Sequence, residues 1–409
     1  MRNNLAVFFV ALCIVIAGNS SFGQNVDSKQ SLTLMFVGDV MGHGIQFKSA
    51  FNPQTGTYCY DDVFSRMSPI FGLADFTIAN LEVTLAGEPY SGYPNFSSPD
   101  ELVDGLSSAG INVLVTANNH TVDRGKKGIT RTIDVLTDKS MPFAGAYKDK
   151  NQRDSLYPLI LEKNGIRLAL LNYTYGTNGI PVPEPTIVNL IDTALIRADL
   201  LKAKSLGADE VIAFMHWGLE YQRAPSFQQI WLTQFMQQMG IRIVIGSHPH
   251  VLQRMEASFD TDSTEGRVAV YSLGNFVSNQ RPRYRNGAAV AVLHIEKEHG
   301  KTTISNAGHI LFWVQIAKIK GKQQFRVLPV SKVENIPNFF NDDDKAMFDE
   351  FVSDSRELFL NENYNFPEII AKNGEWQIPW NTSSNNFPRR LRRIEPWRKH
   401  WTYPHSLRY

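Results

Sequence analysis

The chain has 409 residues, enough for one large domain with additions or for two domains. Hydrophobic residues make up 43% and charged residues 20%, which excludes disorder as the state of the bulk of the chain. The formal net charge of +1 excludes attraction to polyanions through overall charge, so an acidic partner has to be read by a local patch.

The N-terminus has the pattern of an export signal: Arg2, an apolar run over 5–17, then Gly18, Ser20, Ser21 and Gly23, with cleavage after Gly23. The run is short for a membrane span, and the alternative is an uncleaved N-terminal anchor. With 1–23 removed, Cys59 is the cysteine that remains and no intramolecular disulfide can brace the fold. The expected location is the periplasm or cell envelope, which argues against a nucleic-acid partner.

From about 32 to 296 short apolar runs alternate with amphipathic stretches. The runs at 32–37, 76–79, 112–116, 167–172, 210–215, 241–245 and 268–272 are rich in β-branched residues and predict strands. The stretches 62–74, 100–109, 128–138, 192–206 and 227–239 carry apolar residues at three-to-four spacing and predict helices. This alternation predicts an α/β domain over 32–296 with largely parallel, doubly covered strands. After 297 the pattern changes to antiparallel strands at 302–309, 311–319 and 324–329, then a helix over 343–360, read as a small α+β C-terminal extension. A basic, aromatic tail follows, with Arg389, Arg390, Arg392, Arg393, Arg398 and Lys399 among Trp397, Trp401 and Tyr403.

Nearly every strand candidate of the first domain ends in residues able to bind metal or move protons. The first runs into Asp39 with His43 beyond it, and the second into Asn80 and Glu82. The others run into Asn118-Asn119-His120, His216 with Glu220, Ser247-His248-Pro249-His250, and Gly274-Asn275. Parallel strands put all their carboxyl ends on one rim, where ligand sites form. Singly, an Asp after a strand is a helix cap and a lone His a hydrogen-bonded structural residue; six such strand ends together point to a metal site. The donors are imidazole, carboxylate and amide without thiolate, which suits one or two divalent ions of Mn, Fe, Zn or Co and excludes a cysteine-type zinc site.

The series Gly38-Asp39-Val40-Met41, Asn80-Leu81-Glu82, Ala117-Asn118-Asn119-His120 with Asp123-Arg124-Gly125, His216-Trp217-Gly218, Gly246-Ser247-His248-Pro249-His250 and Tyr271-Ser272-Leu273-Gly274-Asn275-Phe276 resembles the CapA family of poly-γ-glutamate capsule proteins over about 32–294. The resemblance implies a metallophosphatase-like four-layer α/β/β/α sandwich with a dimetal site at the strand ends. It implies Asp39 as a first-site ligand and bridge, Asn119 as the amide ligand, and His120 as general acid. His216 and His248 would serve one metal and His250 the other, with Glu82 where phosphoesterases place a bridging Asp. Met41 stands where their first motif has a His; His43 and Asn80 are further candidate ligands.

Arg281, Arg283 and Arg285 follow the Gly274-Asn275-Phe276 loop and, with Glu220, are candidate substrate-binding residues, since arginine beside such a site can grip carboxylates or phosphates in bidentate fashion. The alternative is a solvated loop. For His120 the alternative to general acid is a helix cap or a bond to Asp123. The expected function is synthesis or processing of an anionic polymer by a metal-dependent hydrolase or transferase, alongside membrane-associated synthesis machinery. A metallophosphoesterase of small phosphate esters and a non-catalytic polymer- or membrane-binding assembly protein are the alternatives. No Gly-rich phosphate loop with Lys is present, so ATP-driven polymerisation belongs elsewhere.

Overall fold

A computed structural model of the protein describes residues 29–380, apart from 262–264, 320, 373, 377 and 379. The export segment 1–23 and the basic tail lie outside the described residues.

The first part of the chain lays down four parallel neighbours: β1 (Gln30–Val40), β2 (Phe76–Leu81), β3 (Val113–Val115) and β4 (Phe143–Ala144). The middle builds a second, six-stranded sheet from β5 (Leu159–Lys163), β6 (Ile166–Thr174), β7 (Glu210–His216), β8 (Ile243–Ser247), β9 (Met255–Ser258) and β10 (Arg267–Val270), in the order β9-β10-β8-β7-β6-β5. The chain then returns to the first sheet with β11 (Asn275–Val277), β12 (Gly287–Glu298), β13 (Lys301–Ile319) and β14 (Lys322–Pro329). That sheet has eight strands, ordered β14-β13-β12-β1-β2-β3-β4, with β11 pairing along the end of β1.

Side chains alternate across a strand, and the alternation divides the core in two. Leu34 and Phe36 of β1, with Ile78 and Val113, meet Leu168, Leu170, Ile212, Phe214, Ile243 and Ile245 between the sheets. The alternate residues, such as Met35, Val37, Leu171, Ala213 and Val244, face outward. There they pack with Leu102 and Leu106 of α1 (Glu101–Ala109), Ile129 and Ile133 of α2 (Gly125–Asp138), Ile196 and Leu200 of α3 (Thr193–Ser205), and Leu232 and Met236 of α4 (Phe227–Gln238). The result is the expected α/β/β/α layering. The stretch 62–74 is two short helical pieces, Asp61–Phe64 and Ser68–Phe71, the second opened by Pro69.

The break expected near 297 falls at a hairpin turn. His299 and Gly300 have φ of 50° and 74°, and β13 runs straight back antiparallel to β12. β13 is one unbroken strand where two were expected, and with β14 it widens the first sheet. A long helix, α5 (Asp342–Glu362), sets Phe348, Phe351 and Phe359 against Leu311, Trp313 and Leu328 of that extension.

The first sheet carries one irregularity that matters for chemistry. The β1–β2 register runs Val37↔Ala79 and then Asp39↔Asn80, so one extra residue, Gly38, is accommodated on β1. A bulge of this kind re-aims the side chain that follows it. A Cβ on Gly38 would lie 1.9 Å from the Gly274 carbonyl oxygen, so a glycine is required for that close approach. Asp39 N–H donates to the same oxygen at 3.0 Å.

Candidate metal centre

The carboxyl ends of β1, β2, β3, β7 and β8 converge on one rim, and the first and second sheets contribute opposite walls. The bulge puts Asp39 beside Asn80, whose Nδ2–H donates to Asp39 Oδ1 at 2.8 Å. Glu82, two residues beyond Asn80, falls on the same face. Asn80 Oδ1 in turn accepts from Asn118 Nδ2 at 3.2 Å, which leaves Asn80 orienting Asp39. From the second sheet, His216 is paired in register with Ser247, and its Nδ1 lies 3.1 Å from Ser247 Oγ. His216 Nε2 lies 2.8 Å from Asn119 Oδ1, so the amide oxygen and the imidazole meet across the seam between the sheets.

The turn after β8 supplies two more imidazoles. His248 and His250 both have left-handed backbones, φ 98° and 58°, conformations that non-glycine residues adopt at a cost and that cluster at functional sites. His248 N–H donates to Asp39 Oδ2 at 3.3 Å. His250 Nδ1 lies 3.0 Å from Asn275 Oδ1 and 3.1 Å from Asp39 Oδ2. Its Nε2 is 3.7 Å from Glu82 Oε1, the same distance as His216 Nε2.

Three overlapping donor groups result, each with ligand atoms within 4.8 Å of one another: Glu82 with His216 and His248, Asp39 with Glu82 and His250, and Glu220 with His248 and His250. Glu82 is common to the first two. Its Oε1 is buried without a hydrogen-bond partner, as is His248 Nδ1. Two fully buried carboxylates side by side, with an orphaned oxygen and an orphaned imidazole nitrogen, are what a divalent cation would satisfy, so the donor set fits a metal ion.

The electrostatics agree with that fit. Burial, then the negative charge of Asp39, pushes Glu82 well above its ordinary range. Burial acts on Asp39 in the same direction, but the bond and charge of His250 and the Asn80 amide outweigh it and hold Asp39 below its ordinary value. Burial, then the neighbouring imidazoles, pushes His216 well below the usual histidine range and His248 down to about 3. Both are therefore neutral, the form that ligates.

His120 stands beside this cluster. Its Nδ1 is 2.8 Å from Asp123 Oδ2, and its ring packs edge-on against Phe96 with centroids 4.7 Å apart. The same Asp123 oxygen accepts from Phe96 N–H at 2.8 Å, so the carboxylate is anchored. The bond to Asp123 set against the proton-donor role is present, and a carboxylate on Nδ1 is also what fixes a tautomer with Nε2 available.

Other expected residues fall elsewhere. His43 belongs to none of the donor groups; it opens the helix Gly44–Ala50, with Nδ1 3.0 Å from Gln46 Oε1, and packs on Phe96. Burial pushes it down to about 4. Arg281 donates to Val314 O and lies over Trp313, while Arg283 pairs with Asp354 at 2.7 Å. Both are thus turned to β13 and α5 rather than to the cluster, a correction to their expected place; Glu220 does reach it. Sequence reasoning passed over Tyr175, whose ring lies 4.6 Å from that of His248, and Asn275 as the partner of His250.

The family described as bacterial capsule synthesis protein PGA_cap matches residues 33–280, more than half of the chain. A capsule biosynthesis protein, CapA, of Bacillus anthracis is 32% identical over 65% of this chain and 64% of its own length, so the match spans just under two thirds of that relative. A PGA biosynthesis protein, CapA, of Bacillus subtilis is 28% identical over 66% of this chain and 69% of its own. Among solved structures, an NAD nucleotidase of Haemophilus influenzae is similar at TM-score 0.45, 12% identical, over 80% of this chain and 67% of that one. A calcineurin-like phosphoesterase of Bacillus subtilis is similar at TM-score 0.39, 13% identical, over 80% and 97%. With the matched stretch covering every donor residue described above, the chain belongs to the bacterial capsule synthesis family.

Proposed function

We propose that this protein works in the synthesis or processing of an exported anionic polymer of the poly-γ-glutamate type, through a metal-dependent hydrolase or transferase site. The reading is supported by the names of the curated relatives and, on this chain, by one observation: Glu82, buried with Asp39, carries a carboxylate oxygen without a partner where imidazoles from the other sheet converge. Glu82, His216 and His248, with Asn119 O beside them, would hold one ion, and Asp39, Glu82 and His250 a second. Mn, Fe, Zn or Co suits a thiolate-free set of this kind. When bound, such ions act as Lewis acids and lower the pKa of a coordinated water. His120, oriented by Asp123, donates a proton to the leaving group. Asn80, Ser247 and Asn275 keep Asp39, His216 and His250 in place. Export through 1–23, cleaved or kept as an anchor, would set this site in the cell envelope next to membrane-associated synthesis machinery.

Metal analysis of the purified protein tests the reading. Wild type is expected to hold tightly bound transition ions, and Glu82→Gln to lose most of them while keeping its circular dichroism. A Glu82→Gln protein with wild-type metal content would sink the assignment.

A further inference from the structure

Of the arginines in the loop 281–285, Arg281 and Arg283 are turned to β13 and α5, and Arg285 is the one directed elsewhere. Its guanidinium carbon lies 3.3 Å from the centroid of the Tyr221 ring, and that ring lies 6.0 Å from the ring of His250. No carboxylate pairs with Arg285 among the described residues, although the chain carries nearly as many acids as bases. Tyr221 occupies the face of the guanidinium; the N–H donors of an arginine lie in its plane and point outward from such a stack.

Both partners are pinned to the turn that carries the imidazoles. Tyr221, with a left-handed backbone of φ 65°, donates its N–H to Pro249 O at 2.8 Å, between His248 and His250. Asn275 Oδ1 lies 3.0 Å from His250 Nδ1, as an acceptor for that nitrogen, and Asn275 Nδ2 donates to Arg285 O at 3.0 Å. One amide thus ties the imidazole and the arginine backbone together.

We infer that Arg285, stacked on Tyr221, is the substrate-binding residue that receives a carboxylate next to the bond being cut or transferred. This rests on the polymer-processing reading above and deepens it. The preferred substrate carries two polar centres: a carbonyl at the metal donors, and an anion within reach of Arg285. A γ-linked glutamyl chain has this form, with an α-carboxylate beside each linking amide. A phosphate group offers the same bidentate acceptor chemistry, and the test has to separate the two.

The experiment titrates three probes into metal-loaded wild type and Arg285→Gln by calorimetry: a γ-glutamyl tripeptide, the same peptide with its α-carboxylates amidated, and inorganic phosphate. A charge-assisted bidentate contact predicts that Arg285→Gln weakens the carboxylate peptide by about ten- to a hundredfold, with metal content unchanged. The amidated peptide is expected to bind both proteins equally weakly. Arg285-dependent binding of phosphate without peptide binding keeps the anion contact and removes the glutamyl reading. Equal affinities of wild type and Arg285→Gln for every probe, or no binding of either anion by wild type, overturns the inference. Metal content, measured on the same samples, reports separately on the metal-centre assignment.

Discussion

The proton-donor role proposed for His120 depends on Asp123 being held still. Asp123 Oδ2 accepts from the Phe96 N–H as well as lying 2.8 Å from His120 Nδ1, and Phe96 closes over the imidazole edge. The ring therefore has one defined nitrogen for a substrate. His120→Ala is expected to keep the metal and the fold and to lose about 10²–10⁴-fold in turnover. Single-turnover rates beside metal content check this, and an unchanged rate with a lowered melting temperature would leave His120 a structural residue. Much at this scale was legible, because Asp39, Glu82, Asn119, His216 and the His248-Pro249-His250 turn are donor types placed after apolar runs. What could not be read was each donor's support. The bond from Asn80 to Asp39 appears only once the bulge sets them side by side, and Arg281 and Arg283 look like substrate groups until Val314 and Asp354 arrive from 33 and 71 residues downstream.

At the scale of elements, β13 shows how tertiary pairing overrides pattern. Antiparallel strands after a run of parallel ones suggested a new unit, yet β13 pairs along its length with β12 and β14 of the first sheet. Nothing in local sequence states which edge a hairpin will join. β13 also carries a titratable group remote from the metal donors. His309 Nδ1 lies 2.9 Å from Phe366 O, under the ring of Phe359, and burial holds its pKa down at about 4. In the unfolded chain it titrates near 6.5. The unfolded state therefore takes up a proton as pH falls through 6.5, while the folded state waits until about 4, so stability drops as pH falls across that window. Wild type should lose on the order of 2 kcal/mol more than His309→Gln between pH 7 and pH 5. Urea unfolding of both proteins at the two pH values measures it; equal losses would show that His309 is not buried in neutral form.

For the whole molecule, the candidate metal donors meet across a seam. Asp39, Glu82 and Asn119 come from the first sheet, and His216, His248 and His250 from the second, so a bound ion would clasp the two layers together. A ligand that binds only the folded state stabilises it by mass action, about 2.7 kcal/mol at a hundredfold excess over its Kd. Chelation is expected to lower the melting temperature by several degrees, and restoring Mn or Zn to reverse it; scanning fluorimetry with and without chelator provides the check. A melting temperature indifferent to chelator would mean that the donors meet without an ion. The α/β character was legible from apolar periodicity, because strands covered on both faces read as continuous apolar runs; their division into two stacked sheets was legible only through the family resemblance.

The path of the chain has a consequence for how such a molecule comes into being. β1 is a central strand, yet its partner β12 is added at the far end, and the contact between Thr33 and His294 spans 261 residues. Until that late strand emerges, β1 offers a bare row of backbone donors and acceptors, an open template for any other extended chain. Pairings so distant in sequence are slow to form, because loop closure precedes any reward from contact. The match to the family, 33–280, ends before β12 begins. That matched stretch therefore holds every donor of the candidate metal centre but not the strand that seals its central edge, and a nascent chain of this length would leave that edge open to self-association.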